Sequence, residues 1–166
     1  MFYGEVFKAL NKAGVRYVVA GGVAVVLYGF LRYTKDVDLI VHLEEKNLTK
    51  LFDALLKIGY HPKVPVTKEQ FIDAKTRKRW QKEKGMIVFS FYHKNDPLKA
   101  VDMFVEEPIQ FSLLYKKRTI IRHEGVAVPL ISLEHLRILK KRAGRAHDLD
   151  DLEQLDAIKK FESKRK

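Results

Sequence analysis

The stretch Arg16-Tyr-Val-Val-Ala-Gly-Gly22, with Asp36-Val-Asp-Leu-Ile-Val-His42 further along, decides the fold of this chain. The apolar run 16–20 is short and rich in β-branched residues, which predicts a buried strand that ends at the glycine pair. The residues from 23 to 29 predict a compact helix, and those from 36 to 42 predict a second strand. We therefore expect strand, turn, helix, loop and strand in that order.

Outward from this stretch, helices and strands first alternate and then strands follow one another. The other predicted helices are at 5–12, at 48–58 with an apolar stripe, and from a capping box at 67–70 through Trp80. Two more follow near the end, one at 133–143 that Ser132 caps and Gly144 stops, and a last one that Asp148 caps. The other predicted elements are a turn at 61–65, strands at 86–92 and 101–106, and a hairpin at 119–130. This order predicts an α/β or α+β fold, in which a small mixed β-sheet is flanked by helices.

The length and composition predict one domain. The chain has 166 residues, of which 46% are hydrophobic, enough to bury a core. We expect a single domain over 1–166, with an α/β core at 1–131 and a C-terminal helical segment at 132–166. The absence of cysteine excludes disulfides, thiolate metal sites and cysteine nucleophiles. With no signal-peptide pattern and no apolar run long enough to span a bilayer, the sequence predicts a cytoplasmic protein without membrane association.

The net charge of +11 points to a polyanionic partner, such as nucleic acid, nucleotides or an acidic protein surface. Lysines and arginines around Trp80 could hold an RNA backbone with a base stacked on the ring. The alternative, which we favour, is a solvated helix face with Trp80 as its packing anchor.

Asp36 and Asp38 are the main candidates for chemistry. Side chains alternate along a strand, so both carboxylates share one face, while Val37 and Leu39 point into the core. Two carboxylates on one face repel each other unless a cation lies beside them, and magnesium prefers such hard oxygen ligands. The pair therefore predicts a divalent metal site, for Mg²⁺ or Mn²⁺.

The glycines Gly21 and Gly22 predict a phosphate site beside that metal. Glycines between a strand and a helix let the backbone approach a phosphate closely, with helix N–H groups directed at it. Phosphates held next to a metal-binding carboxylate pair are what nucleotidyl transfer from a nucleoside triphosphate requires. Alone, a glycine pair is more often a simple turn and an Asp-x-Asp a solvated edge, but the ordered combination favours the functional interpretation.

Ala20-Gly-Gly22 followed by Asp36-Val-Asp-Leu39 resembles the signature of the polymerase-β-like nucleotidyltransferases. Within that superfamily, the sequence around Arg32, Thr34 and the two aspartates most resembles the branch of the AbiEii-type toxins and minimal nucleotidyltransferases. The segment from Leu136 to Leu152 is similar to the second motif of that branch, a helix with a lysine, then Gly-Arg and an acidic pair. The resemblance implies the nucleotidyltransferase fold with C-terminal helices, an NTP substrate such as ATP, and a toxin–antitoxin or phage-defence setting.

The resemblance also implies a third carboxylate on a neighbouring strand, for which Asp102 is the best match. Asp102 would complete the metal site with Asp36 and Asp38 and could accept the proton of the attacking hydroxyl; the alternative is a turn-side Asp at a strand edge. Lys140 and Arg145 could meet the triphosphate, or they could be ordinary cations at a helix C-terminus.

The neighbours of these residues leave alternatives open. Asp148 and Asp151 have three alternative roles: helix caps, salt-bridge partners of Arg145, or support of the catalytic residues. Arg32 and Thr34 are candidates to orient the nucleotide beside the metal, although an ordinary polar loop explains them nearly as well.

The sequence therefore predicts a metal-dependent nucleotidyltransferase that moves a nucleoside monophosphate from an NTP to a hydroxyl. The acceptor could be RNA or tRNA, a cognate protein partner or a small molecule such as an aminoglycoside. The alternative from another class is a nucleotide- or RNA-binding module without turnover.

Overall fold

A computed structural model describes residues 3–163 of the chain, and side chains up to residue 157. The helices are α1 Gly4–Lys12, α2 Gly21–Leu27, α3 Glu45–Lys57, α4 Lys68–Ile72, α5 Ala74–Lys84, α6 Phe111–Lys116, α7 Leu133–Ala143 and α8 Ala146–Ser163. The strands are β1 Tyr17–Ala20, β2 Asp36–Val41, β3 Tyr60–Pro62, β4 Val88–His93, β5 Asp96–Phe104, β6 Thr119–His123 and β7 Val126–Leu130. Over this described range, none of the helices has the length and apolar character that crossing a membrane requires.

The strands form one mixed sheet in the order β3-β4-β5-β2-β1-β7-β6. β2 runs antiparallel to β1 and parallel to β5, and β4 is antiparallel to β5. The predicted fold class, a small mixed sheet flanked by helices, is confirmed. Strands β2 and β5 carry the three candidate carboxylates, and β1 ends directly before the glycine pair.

The two faces of this sheet differ sharply along β2. Val37 and Leu39 are fully buried, whereas Asp36 and Asp38 are partly exposed, as the alternation of the strand predicts. The buried face of β4 meets helices α3, α4 and α5 through an aromatic cluster whose ring centroids lie 4.9 to 5.6 Å apart, formed by Phe52, Phe71, Trp80, Phe89 and Phe91. Burial of these rings fixes one face of the sheet in the core, so the carboxylates come out on the other.

The basic segment after residue 67 differs from its prediction. The capping box is confirmed, since Gln70 N donates to Thr67 Oγ1 and the Gln70 side chain accepts from Thr67 N. The single helix through Trp80 is wrong, because Asp73 ends α4 and caps α5 by accepting from Thr76 N at 2.7 Å. A second capping residue inside a charged run outcompetes continuous helix propensity.

Several other boundaries also shift. Helix α2 begins at Gly21 rather than at 23, and α8 begins at Ala146, which places Asp148 in its first turn and not at its cap. Tyr60–Pro62 forms the edge strand β3 where a turn was predicted, and the short helix α6 was not predicted. The cap at Ser132, which accepts from His135 N, and the stop at Gly144, with φ +61°, are confirmed.

Candidate active site

The three candidate carboxylates come together on the open face of the sheet. Asp38 and Asp102 are direct partners in the parallel register of β2 and β5, and Asp36 pairs with Ala100 two residues earlier on each strand. Neighbouring strands lie about 4.8 Å apart, so side chains at paired positions on one face are adjacent. Asp102 therefore lies in the middle of a long strand beside the other two, and the alternative of a turn-side Asp is excluded.

The electrostatics of this cluster disfavour its charged form. Burial, followed by repulsion from Asp102, raises the pKa of Asp38 to about 6, against an attraction from Lys140. Burial also raises the pKa of Asp102, opposed by a hydrogen bond from Ser90 and reinforced by the charge of Asp36. The carboxylates are thus held close to one another with too little positive charge among them.

This charge imbalance suits a divalent cation. In the part of the chain that the structure describes, no three Asp, Glu or His side chains are arranged as a ready-made metal cluster. The donor set nevertheless fits a hard cation, because carboxylate oxygens on paired strand positions face one another in a region that burial makes costly for anions. Asp38 and Asp102 are the pair that fits, with Asp36 next to them.

Gly21 brings the backbone against the carboxylates. Its φ is +60°, and a Cβ atom built on it would lie 1.7 Å from Asp38 Oδ2. A Cβ on Gly22 would lie 2.7 Å from Thr34 Oγ1 and 3.3 Å from Arg32 Cζ. Both positions therefore require glycine because the space beyond the backbone belongs to site side chains.

The loop before β2 is held in place by its own polar contacts. Thr34 Oγ1 donates to the carbonyl of Asp36 at 3.2 Å, and the Arg32 guanidinium donates to Asp151 of α8 at 2.5 Å. Arg32 and Thr34 thus lie beside Gly22 and line the polar cavity, and their predicted role in orienting the nucleotide stays a prediction. Arg32 also ties the loop to the C-terminal helix, which the sequence did not predict.

A buried network of ion pairs lies on helices α7 and α8, near the candidate carboxylates. The Nζ atom of Lys140, whose side chain is 5% exposed, lies 2.8 Å from both Asp148 Oδ1 and Asp151 Oδ2. Arg145 Nε donates to Asp148 Oδ2 at 2.7 Å. Burial would raise the pKa of Asp148, but hydrogen bonds from Arg145 and Lys140 lower it to about 2. Of the alternatives for the two aspartates, the structure supports a salt bridge to Arg145 for Asp148, whereas Asp151 pairs with Lys140 and Arg32.

Three cavities meet at the carboxylates. A polar cavity of about 390 Å³ is lined by both glycines, the loop 32–36, Asp38, Asp102, Lys140, Arg145 and His147. A largely apolar cavity of about 600 Å³ lies between β4, β5 and α7. Its apolar lining includes Ile87, Val88, Phe104, Pro108, Leu136 and Leu139, and Asp38, Asp102, Lys140 and Arg145 are among its charged residues. A smaller strand cleft of about 220 Å³ is lined by Asp36, Lys63, Ser90, Phe91, Tyr92, Pro97, Ala100 and Asp102. Asp102 lines all three.

Apart from Asp36 and Asp102, sequence reasoning missed the residues of the strand cleft. Ser90 alternates with Phe89 and Phe91, so the period of β4 could have placed it on the open face. Tyr92 follows on the same face. Lys63 carries no local signal because it reaches the cleft only through the pairing of β3 with β4.

Trp80 is not a nucleic-acid platform. The ring is 5% exposed and stacks on Phe89 with the planes at 20°. Its neighbour Arg77 is also buried and donates to the carbonyls of Phe71 and Ile72. The favoured interpretation, a packing anchor, is confirmed.

Comparisons with known proteins agree with this geometry. No curated protein gives a match in sequence. Among solved structures, a lincosamide antibiotic adenylyltransferase with lincomycin bound is similar at a TM-score of 0.61 and 17% identity, covering 95% of this chain and 94% of that one. A nucleotidyltransferase-like protein from Paracoccidioides brasiliensis is similar at a TM-score of 0.59 and 20% identity, covering 95% and 74%. These likenesses support the fold.

A third structure, ANT(2'')-Ia in complex with adenylyl-2''-tobramycin, is similar at a TM-score of 0.56 and 12% identity, covering 98% of this chain and 95% of that one. The family comparison spans nearly the whole sequence, from residue 2 to residue 165. It does not test the AbiEii-type branch, which stays a prediction. The chain belongs to the family described as nucleotidyl transferase of unknown function (DUF2204), and it is a nucleotidyltransferase.

Proposed function

We propose that the protein transfers a nucleoside monophosphate from an NTP to a hydroxyl acceptor, with Mg²⁺ or Mn²⁺ held by Asp36, Asp38 and Asp102. The observation that carries this proposal is the pairing of Asp38 with Asp102 on adjacent parallel strands, directly against the bare backbone of Gly21. A bound cation would neutralise charge on the triphosphate and align it for in-line attack.

The polar cavity is the place for the triphosphate. Gly21 and Gly22 leave its floor free of side chains, and Thr34 and Arg145 lie on its walls. Arg145 is 63% exposed at its side chain, so it can turn toward a phosphate while its Nε stays near Asp148. The ammonium of Lys140 also lines this cavity, and its two aspartates hold it in place, so that it needs no rearrangement when the nucleotide binds.

Asp102 is suited to accept the proton of the attacking hydroxyl. Burial raises its pKa, which makes the carboxylate a stronger base than an exposed aspartate. The hydrogen bond from Ser90 fixes its orientation. The residue lines the strand cleft as well as the polar cavity, so it lies between two approaches to the site.

The net charge of +11 favours a polyanionic acceptor, either RNA such as tRNA or an acidic partner protein. Such an acceptor is compatible with the toxin–antitoxin or phage-defence setting that the family resemblance implies. A second candidate is a small molecule with an apolar framework, favoured by the apolar cavity, whose volume of about 600 Å³ falls in the range of drug-sized sites.

The test is transfer of label from each α-labelled NTP, in the presence of magnesium, to fractions of cell extract that contain RNA, protein or small molecules. We expect label in one fraction, and its loss in Asp38→Asn and Asp102→Asn. The proposal fails if either variant labels as fast as the wild type.

Calorimetry with a non-hydrolysable NTP separates the enzyme from a binding module. For the enzyme, NTP affinity rises with added magnesium in the wild type and does not in Asp38→Asn. Equal binding by the two proteins, with no transfer to any fraction, would support the module without turnover.

A further inference from the structure

The strand cleft approaches the carboxylates from the β4 side. Its walls include Asp36 and Asp102, but neither the glycines nor Lys140 and Arg145, all of which line the polar cavity. An in-line displacement needs the attacking oxygen on the side away from the leaving pyrophosphate. With the triphosphate in the polar cavity, two other openings reach Asp102: the apolar cavity, which suits an apolar acceptor, and the strand cleft, whose lining is more polar.

Lys63 gives the strand cleft a positive rim. Its side chain is exposed, and its backbone amide donates to the carbonyl of Ser90 at 2.9 Å, which fixes it beside the cleft. Among the described side chains, it forms no salt bridge. A cation on the rim of a cleft that also contains Asp102 favours an acceptor that carries a negative charge close to its hydroxyl.

Tyr92 provides an aromatic surface on the same wall. It follows Ser90 by two positions on β4, so both face the cleft, and the tyrosine is 36% exposed. Its register partner on β5 is Ala100, whose small side chain leaves space beside the ring. An exposed ring next to a lysine is the usual surface for one unstacked base and its phosphate.

We propose that the strand cleft binds the 3′-terminal nucleotide of a single-stranded RNA, with its base on Tyr92, its phosphate at Lys63 and a ribose hydroxyl turned toward Asp102. This inference rests on the proposed function and names its acceptor. The ribose oxygen bonds to the α-phosphorus of the NTP as the bond to the β-phosphate oxygen breaks. Pyrophosphate leaves with that electron pair, and the hydroxyl proton passes to Asp102.

Other acceptors fit the strand cleft less well. A cationic aminoglycoside would bring its ammonium groups against Lys63 and against the cation proposed at Asp36 and Asp102, and like charges disfavour that complex. The cleft volume of about 220 Å³ is below the roughly 300 Å³ at which drug-sized sites begin, so it holds one terminal group and leaves the rest outside. A chain of nucleotides that extends away from the site meets this condition.

Binding of a short single-stranded RNA with a fluorophore at its 5′ end, followed by anisotropy, tests the contacts without turnover. We expect Lys63→Glu and Tyr92→Ala each to weaken binding by roughly tenfold. Lys63→Met should lower the slope of log affinity against log salt by about 0.7. The matched controls are Lys94→Glu, an exposed lysine of the β4–β5 turn outside the cleft, and Tyr92→Phe, which keeps the ring.

Transfer of label to the same RNA tests the reaction. Label should enter RNA with an intact 3′ end, not RNA whose terminal diol has been oxidised by periodate, and Lys63→Glu should lower it roughly tenfold at unchanged NTP affinity. The inference is overturned if Lys63→Glu and Lys94→Glu behave alike. Label in protein or small molecules and none in RNA also overturns it, while the proposed function stands. Absence of label from every fraction removes the proposed function itself.

Discussion

Two groups of aspartates lie near Lys140 and Arg145, and their environments are opposite. Asp148 and Asp151 share the ammonium of Lys140, and hydrogen bonds from Lys140 and Arg145 lower the pKa of Asp148 to about 2. Asp38 faces another carboxylate, and burial raises its pKa to about 6. Paired acids of the first kind stabilise the fold, whereas the second kind are retained at a cost to stability because a ligand uses them.

The largest effect should come from Asp38→Asn, which removes a charge from the uncompensated group. This group is Asp36, Asp38 and Asp102, which among the described side chains have no cation paired with them in the way that Lys140 pairs with Asp148 and Asp151. We expect nucleotidyl transfer to fall by at least roughly a thousandfold, since the variant loses a ligand of the cation. The free energy of unfolding without metal should stay equal or rise, because a neutral amide faces Asp102 instead of a like charge. Single-turnover kinetics and urea unfolding measure the two quantities, and a loss of stability would place Asp38 with the structural acids.

Asp148→Asn alters the compensated group and should act in the opposite way. Removing one partner of a buried ion pair costs about 3 kcal/mol of unfolding free energy at neutral pH. The folded-state pKa of Asp148 lies below the unfolded value, so its stabilisation is present above about pH 4 and is lost as the pH falls toward 2. Urea unfolding at several pH values should therefore show a difference that shrinks in acid.

The control for this variant is Asp150→Asn, an exposed aspartate on the same helix, which should change stability by less than about 0.5 kcal/mol. A difference between wild type and Asp148→Asn that stays constant from pH 7 to pH 3 would contradict the assigned ion pair.

Gly21→Ala should measure how closely the backbone approaches the uncompensated group. The added Cβ would collide with Asp38 Oδ2. We therefore expect the free energy of unfolding to fall by about 2 kcal/mol or more, and the NTP affinity to fall as well. The matched control is Gly85→Ala, because Gly85 has nearly the same φ, +59°, and no atom near the new Cβ. It should lose only about 1 kcal/mol from backbone strain. Equal losses in the two variants, by thermal unfolding, would show that Gly21 serves the turn alone.

The smallest effect should come from an ion pair at the surface. Lys117 and Glu134 lie 3.1 Å apart, but their side chains are 58% and 62% exposed. Lys117→Ala should shift the unfolding free energy by less than about 0.5 kcal/mol, and less still in high salt, because water screens the pair. If Lys117→Ala lowered the free energy of unfolding as much as Asp148→Asn does, burial would not explain the difference between this exposed ion pair and the buried pairs of Lys140.

The sequence was most informative where the chemistry depends on neighbours in the chain. Alternation placed Asp36 and Asp38 on one face and Val37 in the core, and the glycine pair followed from its position between strand and helix. Asp102 came only from a family resemblance, since nothing local distinguishes it from another strand aspartate.

Features that depend on pairing between distant segments could not be predicted in the same way. Lys140 and Asp148 were identified as residues, but their contact needs the angle between α7 and α8. The strand cleft needs the register of β4 on β5, which brings Ser90 next to Asp102. The break at Asp73 was missed because two capping residues lie within one charged run.

The strand order also determines when the enzyme becomes active during its own synthesis. Asp38 emerges early, but its partner strand β5 and Lys140 on α7 follow much later. Until β5 and α7 have been synthesised, a nascent chain carries the glycine pair and two of the carboxylates, but its site is incomplete. Because these non-local contacts form late, an incomplete chain should be catalytically silent, and nucleotide transfer should switch on only with the docking of α7 and α8.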